Sequence, residues 1–179
     1  MSSTTHIVRI QDLFEQWRSL GSMRLPNGCE LVGRVPEDDS WMHVMHPGLD
    51  AAALNVVQRE IGAPMPSSLR AFYRCCGGLS LFRGMFELFG RWRSSVMAPM
   101  PKDIVLLNHQ LDVLGWKPDT AIAFAQNGWD MSVHLAGMGE TGDDGVRCEW
   151  ATGQIVERHP DVFACVDARL HRIDAMMVG

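Results

Sequence analysis

The apolar positions divide the chain into a helical first part and a strand-rich second part. Ile10, Leu13, Trp17 and Leu20 recur at 3-4-3 spacing, and Phe14 widens the stripe, which predicts an amphipathic helix over residues 8–21 after a frayed start at residues 1–6. Residues 22–48 carry no sustained period. Residues 29–32 and 41–44 read as short extended pieces on either side of a polar, acidic loop at residues 36–40. Asp50 caps a predicted helix over residues 51–61, with Leu54, Val57 and Ile61 inward and Glu60 outward. Pro66 suits the first position of the next helix, whose stripe is Leu69, Phe72, Tyr73 and Cys76. Gly77 and Gly78 are expected to stop that helix through a left-handed cap. An apolar strand run follows, Leu79 to Phe89, broken at Arg83-Gly84. Residues 90–101 read as a loop, and Ile104, Leu107, Leu111 and Leu114 mark a helix closed by Gly115.

Beyond residue 120 the period becomes two. Ile122 and Phe124 alternate with Ala121, Ala123 and Ala125, and Asn127-Gly128 is a hairpin-turn signal. Met131, Val133 and Leu135 alternate with Asp130, Ser132 and His134. Val146, Cys148 and Trp150 alternate with Arg147 and Glu149, and a turn at Thr152-Gly153 leads to Ile155. Residues 120–158 therefore read as a half-buried antiparallel meander. Asp161 opens a long final helix with Phe163, Val166, Leu170, Ile173 and Met177 inward and Asp167, Arg169 and Arg172 outward. The expected fold class is α+β: one domain over residues 1–179, a mainly antiparallel sheet packed against helices on one face, and a long C-terminal helix. Its first 50 residues hold the N-terminal helix and an irregular segment.

The stretch from Ile61 to Gly90, IGAPMPSSLRAFYRCCGGLSLFRGMFELFG, carries a recognisable pattern. Glycine–apolar–Pro, a helix bearing Leu and Phe-Tyr, paired glycines and an apolar strand ending in Phe89-Gly90 resemble the SUKH superfamily. That group includes the fungal cell-wall-assembly regulator and many bacterial immunity proteins. The resemblance covers most of the chain from about Leu54. It departs at Cys76-Gly77, where relatives commonly have Asn-Gly. It implies an α+β domain that works by binding: either an immunity protein that neutralises a cognate toxin or a regulatory scaffold for an endogenous partner.

Composition permits this reading. Lys and Arg number 16 against 21 Asp and Glu, a formal net charge of −5, which argues against nucleic acid as the main partner and suits a basic protein. The chain has no apolar run of membrane-spanning length and no signal-peptide pattern. Its five cysteines without repeating spacing fit reduced thiols, so a cytoplasmic protein without membrane contact is expected.

Three motifs have spacings that chemistry could use. Gly137-Met138-Gly139-Glu140-Thr141-Gly142 matches the dinucleotide string but precedes a strand and two carboxylates, where a phosphate site needs a helix. His43 and His46 have metal-ligand spacing but no third ligand. Cys75-Cys76 is vicinal and lacks a second pair, so Cys76 reads as a core thiol. The expectation is therefore no catalytic residue, cofactor or metal. A Cys or His enzyme stands as a minor alternative.

The acidic groups are the best polar candidates. Glu37, Asp38 and Asp39 lie beside Trp41; Glu140, Asp143 and Asp144 precede Trp150. Acidic loops flanking tryptophans would dock a basic partner, such as a nuclease-type toxin, with the aromatic as anchor.

Overall fold

The computed structural model describes residues 3–37, 39–91, 102–139 and 142–178. Asp38, Glu140 and most of the expected 90–101 loop lie outside the described residues, as does the side chain of Met177. In chain order the elements are α1 (Ser3–Arg18), β1 (Ser22–Arg24), β2 (Glu30–Val35), β3 (Ser40–Pro47), α2 (Ala51–Ile61), α3 (Ser67–Cys75), β4 (Cys76–Leu81), β5 (Phe86–Leu88), α4 (Ile104–Leu114), β6 (Ile122–Asn127), β7 (Ser132–Ala136), β8 (Gly145–Glu149), β9 (Ile155–His159) and α5 (Val162–Val178). The fold is α+β, as the pattern predicts.

The nine strands form one sheet in sequence order, β1 to β9, and each strand runs antiparallel to the next. A meander alternates its connections between two ends. The β2–β3, β4–β5, β6–β7 and β8–β9 turns therefore share one end, called here the hairpin end. The opposite end carries the crossovers through α2, α3 and α4 and the β7–β8 loop, and is called the helix end.

Local chemistry explains most elements. The Asp50 side chain accepts from the Ala53 N–H, and Gly62 closes α2 in the left-handed region. Asp103 caps α4, and Gly115 closes it. Leu69, Phe72, Tyr73 and Cys76 are all buried, and the Tyr73 hydroxyl donates to the Phe89 carbonyl at 2.5 Å. Val166, Leu170 and Ile173 of α5 are buried, with Phe163 half-buried against Phe72.

Several expectations are corrected. Helix α1 extends from Ser3, because Ser3 is held by Asp161, just before the distant α5, and His6 by Asp167 within it, and it ends at Arg18, leaving Leu20 exposed. Pro66 precedes α3 rather than starting it. Gly77 and Gly78 do not cap α3: the chain passes straight into β4 through an extended Cys76. Gly77 is glycine because a β-carbon there would strike the Pro47 carbonyl. The strands β6 and β7 are buried on both sides, not half-buried, so both of their faces are covered. Asp167 and Arg169, expected outside, are buried. Asp167 meets His6 and Arg9 of α1, and Arg169 meets Asp130.

Candidate functional site

Strand parity decides which candidate residues meet. The acidic turn at Glu37 and Asp39 joins β2 to β3 at the hairpin end, whereas Asp143 and Asp144 join β7 to β8 at the helix end. Five strand spacings also separate the two loops sideways, roughly 24 Å at the usual interstrand distance. The fold does not bring them together. Nor does it join Asp143 and Asp144 to Trp150, which lies at the other end of β8.

The carboxylates also have internal partners. Asp143 accepts from the Ser68 N–H at 2.7 Å and from the Ser67 hydroxyl at 3.0 Å, so it caps α3 from 75 residues away. Asp144 accepts from the Gly139 N–H. Asp39 pairs with Arg34. Trp41 is half-buried in β3, and Trp150 is half-buried, with its carbonyl accepting from the Trp116 indole at 3.1 Å.

Of the glycine string, Gly137, Gly139 and Gly142 line a cavity of about 430 Å³ with Pro64, Met65, Pro66 and Thr120. It is followed by β8, not a helix. The neighbouring helix N-terminus, that of α3, already has a carboxylate from Asp143 where a phosphate would sit.

His43, His46 and His134 are buried, as are four of the five thiols, Cys75 being exposed. His43 lies in β3, not in a loop, and its ring stacks on Trp17 at 4.0 Å. His46 Nδ1 lies 3.3 Å from the Cys29 sulfur, so the two histidines have separate partners. Burial pushes His43 down to about 3 and His46 to about 4, so both are neutral. His134 lies 3.3 Å from the Cys165 sulfur and is pushed down to about 3, first by burial and then by Arg169 and Arg147. Burial raises the Cys76 thiol to about 12 and raises Cys165 as well, so neither supplies a thiolate near neutral pH. No group of three metal-ligating side chains is found among the described residues, and no described helix is long and apolar enough to cross a membrane.

What the sequence reading missed is the hairpin end. Backbone bonds knit its turns into one ridge: the Arg83 N–H donates to the Met42 carbonyl, Gly128 to Met85, and Trp150 to Met131. Among the described residues, four non-glycine positions have left-handed backbone, Asp39, Phe82, Arg83 and Met131. All four lie in the turns of this ridge. Such positions are uncommon, and they concentrate where structure is held for function. On the ridge stand Trp129, 65% exposed, and Met131, 58% exposed. Met131 was expected inside a strand; it belongs to the turn instead.

The tip is rigidly mounted. Asp130, between the two exposed residues, accepts from the Ser132 N–H and hydroxyl, from Arg147 at 3.2 Å and from Arg169 at 2.5 Å. Burial works against its charge, but the bonds from Ser132 and Arg169 outweigh it and hold the carboxyl below its usual range. The missed signal was Trp129 directly after Asn127-Gly128, a large aromatic at a turn tip that has no strand partner to pack on. Compared with models of protein families and with characterised proteins, the chain matches none.

Proposed function

We propose that this domain is a non-catalytic protein-binding module whose hairpin ridge docks a partner protein, with Trp129 and Met131 as the apolar anchors. The observation that carries the reading is Trp129, held 65% exposed on a ridge of strained, interlocked turns. A tryptophan buries about 150–250 Å² when covered. Covering the exposed part of this one is worth on the order of 3 kcal/mol at 25 cal/mol per Å². That is the scale of an interface hot spot, and Trp is among the residues enriched there.

Neutral buried histidines and protonated buried thiols favour association over bond chemistry. The SUKH resemblance of residues 61–90 makes a toxin the leading partner and the domain an immunity protein. The hairpin end is then the docking face, with Asp39 on its rim paired to Arg34 at the surface, while Asp143 and Asp144 at the helix end are engaged in holding α3 and their own loop.

The reading requires a toxin domain encoded beside this gene, and biolayer interferometry against that domain tests it; a neighbourhood without one counts against the immunity role. Wild type should bind, and Trp129→Ala should bind about 30-fold more weakly, which corresponds to about 2 kcal/mol. Binding unchanged by Trp129→Ala would overturn the ridge as the docking face.

A further inference from the structure

A second site stands apart from the ridge. A groove of about 630 Å³ opens between α1, α3, the sheet and the start of α5. Its walls and floor are apolar: Ile10 and Phe14 from α1, Phe72 from α3, Met45 and Leu79 from the sheet, and Phe163 from α5. Its ionised lining groups all stand on α1, namely Asp12, Glu15 and Arg18.

We propose that this groove binds a single-chain amphiphile with a cationic head group. One extended hydrocarbon chain fits, and about 630 Å³ falls within the usual range for small-ligand pockets.

Charge decides the head group. Arg18 is already committed to carboxylates: it donates through Nε and NH2 to both oxygens of Glu30, at 2.8 and 2.9 Å, and through NH1 to Glu15. Arg18 thus serves Glu15 and Glu30, and Arg24 also acts on Glu30, so the groove carboxylate left without a cation among the described residues is Asp12. Asp12 is exposed and has no ion-pair partner among the described residues. A cation at the mouth gains Asp12, whereas an anion would have to break the Arg18–Glu30 fork.

Cys75 lines the same groove and is exposed, while Cys29, Cys76, Cys148 and Cys165 are buried. Its alkylation rate therefore reports occupancy. The test compares maleimide labelling of Cys75 in the full chain with decyltrimethylammonium and with decyl sulfate, both below their micellar concentrations, with melting temperature read alongside. The cationic chain should slow labelling at least tenfold at saturation and raise the melting temperature, because it binds the native state. Decyl sulfate should change the rate less than twofold. Asp12→Lys, an exposed substitution that leaves the apolar walls intact, should weaken protection by the cation at least fivefold. Labelling that the cation leaves unchanged or accelerates, or that both chains slow equally, would overturn the proposal.

Discussion

The two ends of the sheet use polar residues in opposite ways. At the helix end, Asp143 reaches across 75 residues to cap α3, and Asp144 closes its own loop on Gly139. The charges there secure the crossovers. At the hairpin end, Asp130 is equally engaged, with Ser132, Arg147 and Arg169, yet the residues on either side of it are apolar and exposed. The charge there steadies a turn so that Trp129 and Met131 can stand in water. A carboxylate in a loop is thus a poor marker of a binding face until its partners are known. An exposed tryptophan on a braced turn is a better one, since nothing in folding alone rewards its position.

The largest expected effect asks whether the two ends belong to one cooperative unit. His43, His46 and His134 have folded values of about 3, 4 and 3, against about 6.5 unfolded. Between those limits the unfolded chain binds more protons, so stability is full above about pH 6.5 and is lost as pH falls. Each histidine contributes about 1.4 kcal/mol per pH unit, so the three together remove about 4 kcal/mol per unit between about pH 6 and pH 4.5. Hydrogen exchange at residues 128–131 and 142–145 should rise together through that window. Loss of protection at one end alone would break the comparison at its base.

Removing the brace comes next. Asp130→Ala leaves Arg169, only 6% exposed at its side chain, without its carboxylate partner. The cost should be about 3 kcal/mol in urea unfolding, the lower bound for a broken buried pair because Asp130 itself is partly exposed. A change below about 1 kcal/mol would show that the turn stands without it.

At the helix end, Asp143→Ala removes a helix cap and should cost about 1 kcal/mol, with partner affinity unchanged. The smallest effect belongs to the outer acidic turn. Glu37→Lys with Asp39→Lys should move stability by no more than about 0.5 kcal/mol, since both side chains are exposed and the Arg34–Asp39 pair is a surface one. If the acidic turn steers a basic partner, the double variant slows association at low salt, while an unchanged on-rate leaves the Trp129–Met131 part of the ridge as the whole docking face.

Elements whose signals are local were legible in the sequence. Asp50 with the Leu54, Val57 and Ile61 stripe locates α2; Leu69 to Cys76 gives the buried face of α3; Asn127-Gly128 marks the β6–β7 turn. What was hidden depends on partners far along the chain. Asp167 and Arg169 sit at outward positions of α5 and look solvated until α1 and the β6–β7 turn arrive with His6, Arg9 and Asp130. Gly77 looks like a helix stop, but its reason is the Pro47 carbonyl, thirty residues earlier. The two acidic loops looked alike because the end of the sheet each occupies follows from counting every strand. The short polar β1 and the order of all nine strands have no local signature. Trp129 was legible in principle, as an aromatic placed where the chain turns.

The central claim is that this domain binds a protein through the ridge, and one comparison tests it most directly. Equilibrium affinity for the partner protein, sought first as a toxin domain encoded beside this gene, should be measured for wild type, for Trp129→Ala and for the double variant Asp143→Lys with Asp144→Lys, each first shown to be folded. The account predicts about a 30-fold loss for Trp129→Ala and less than a threefold change for the folded double variant. The reverse pattern, full affinity without Trp129 and a large loss at the helix end, would contradict it.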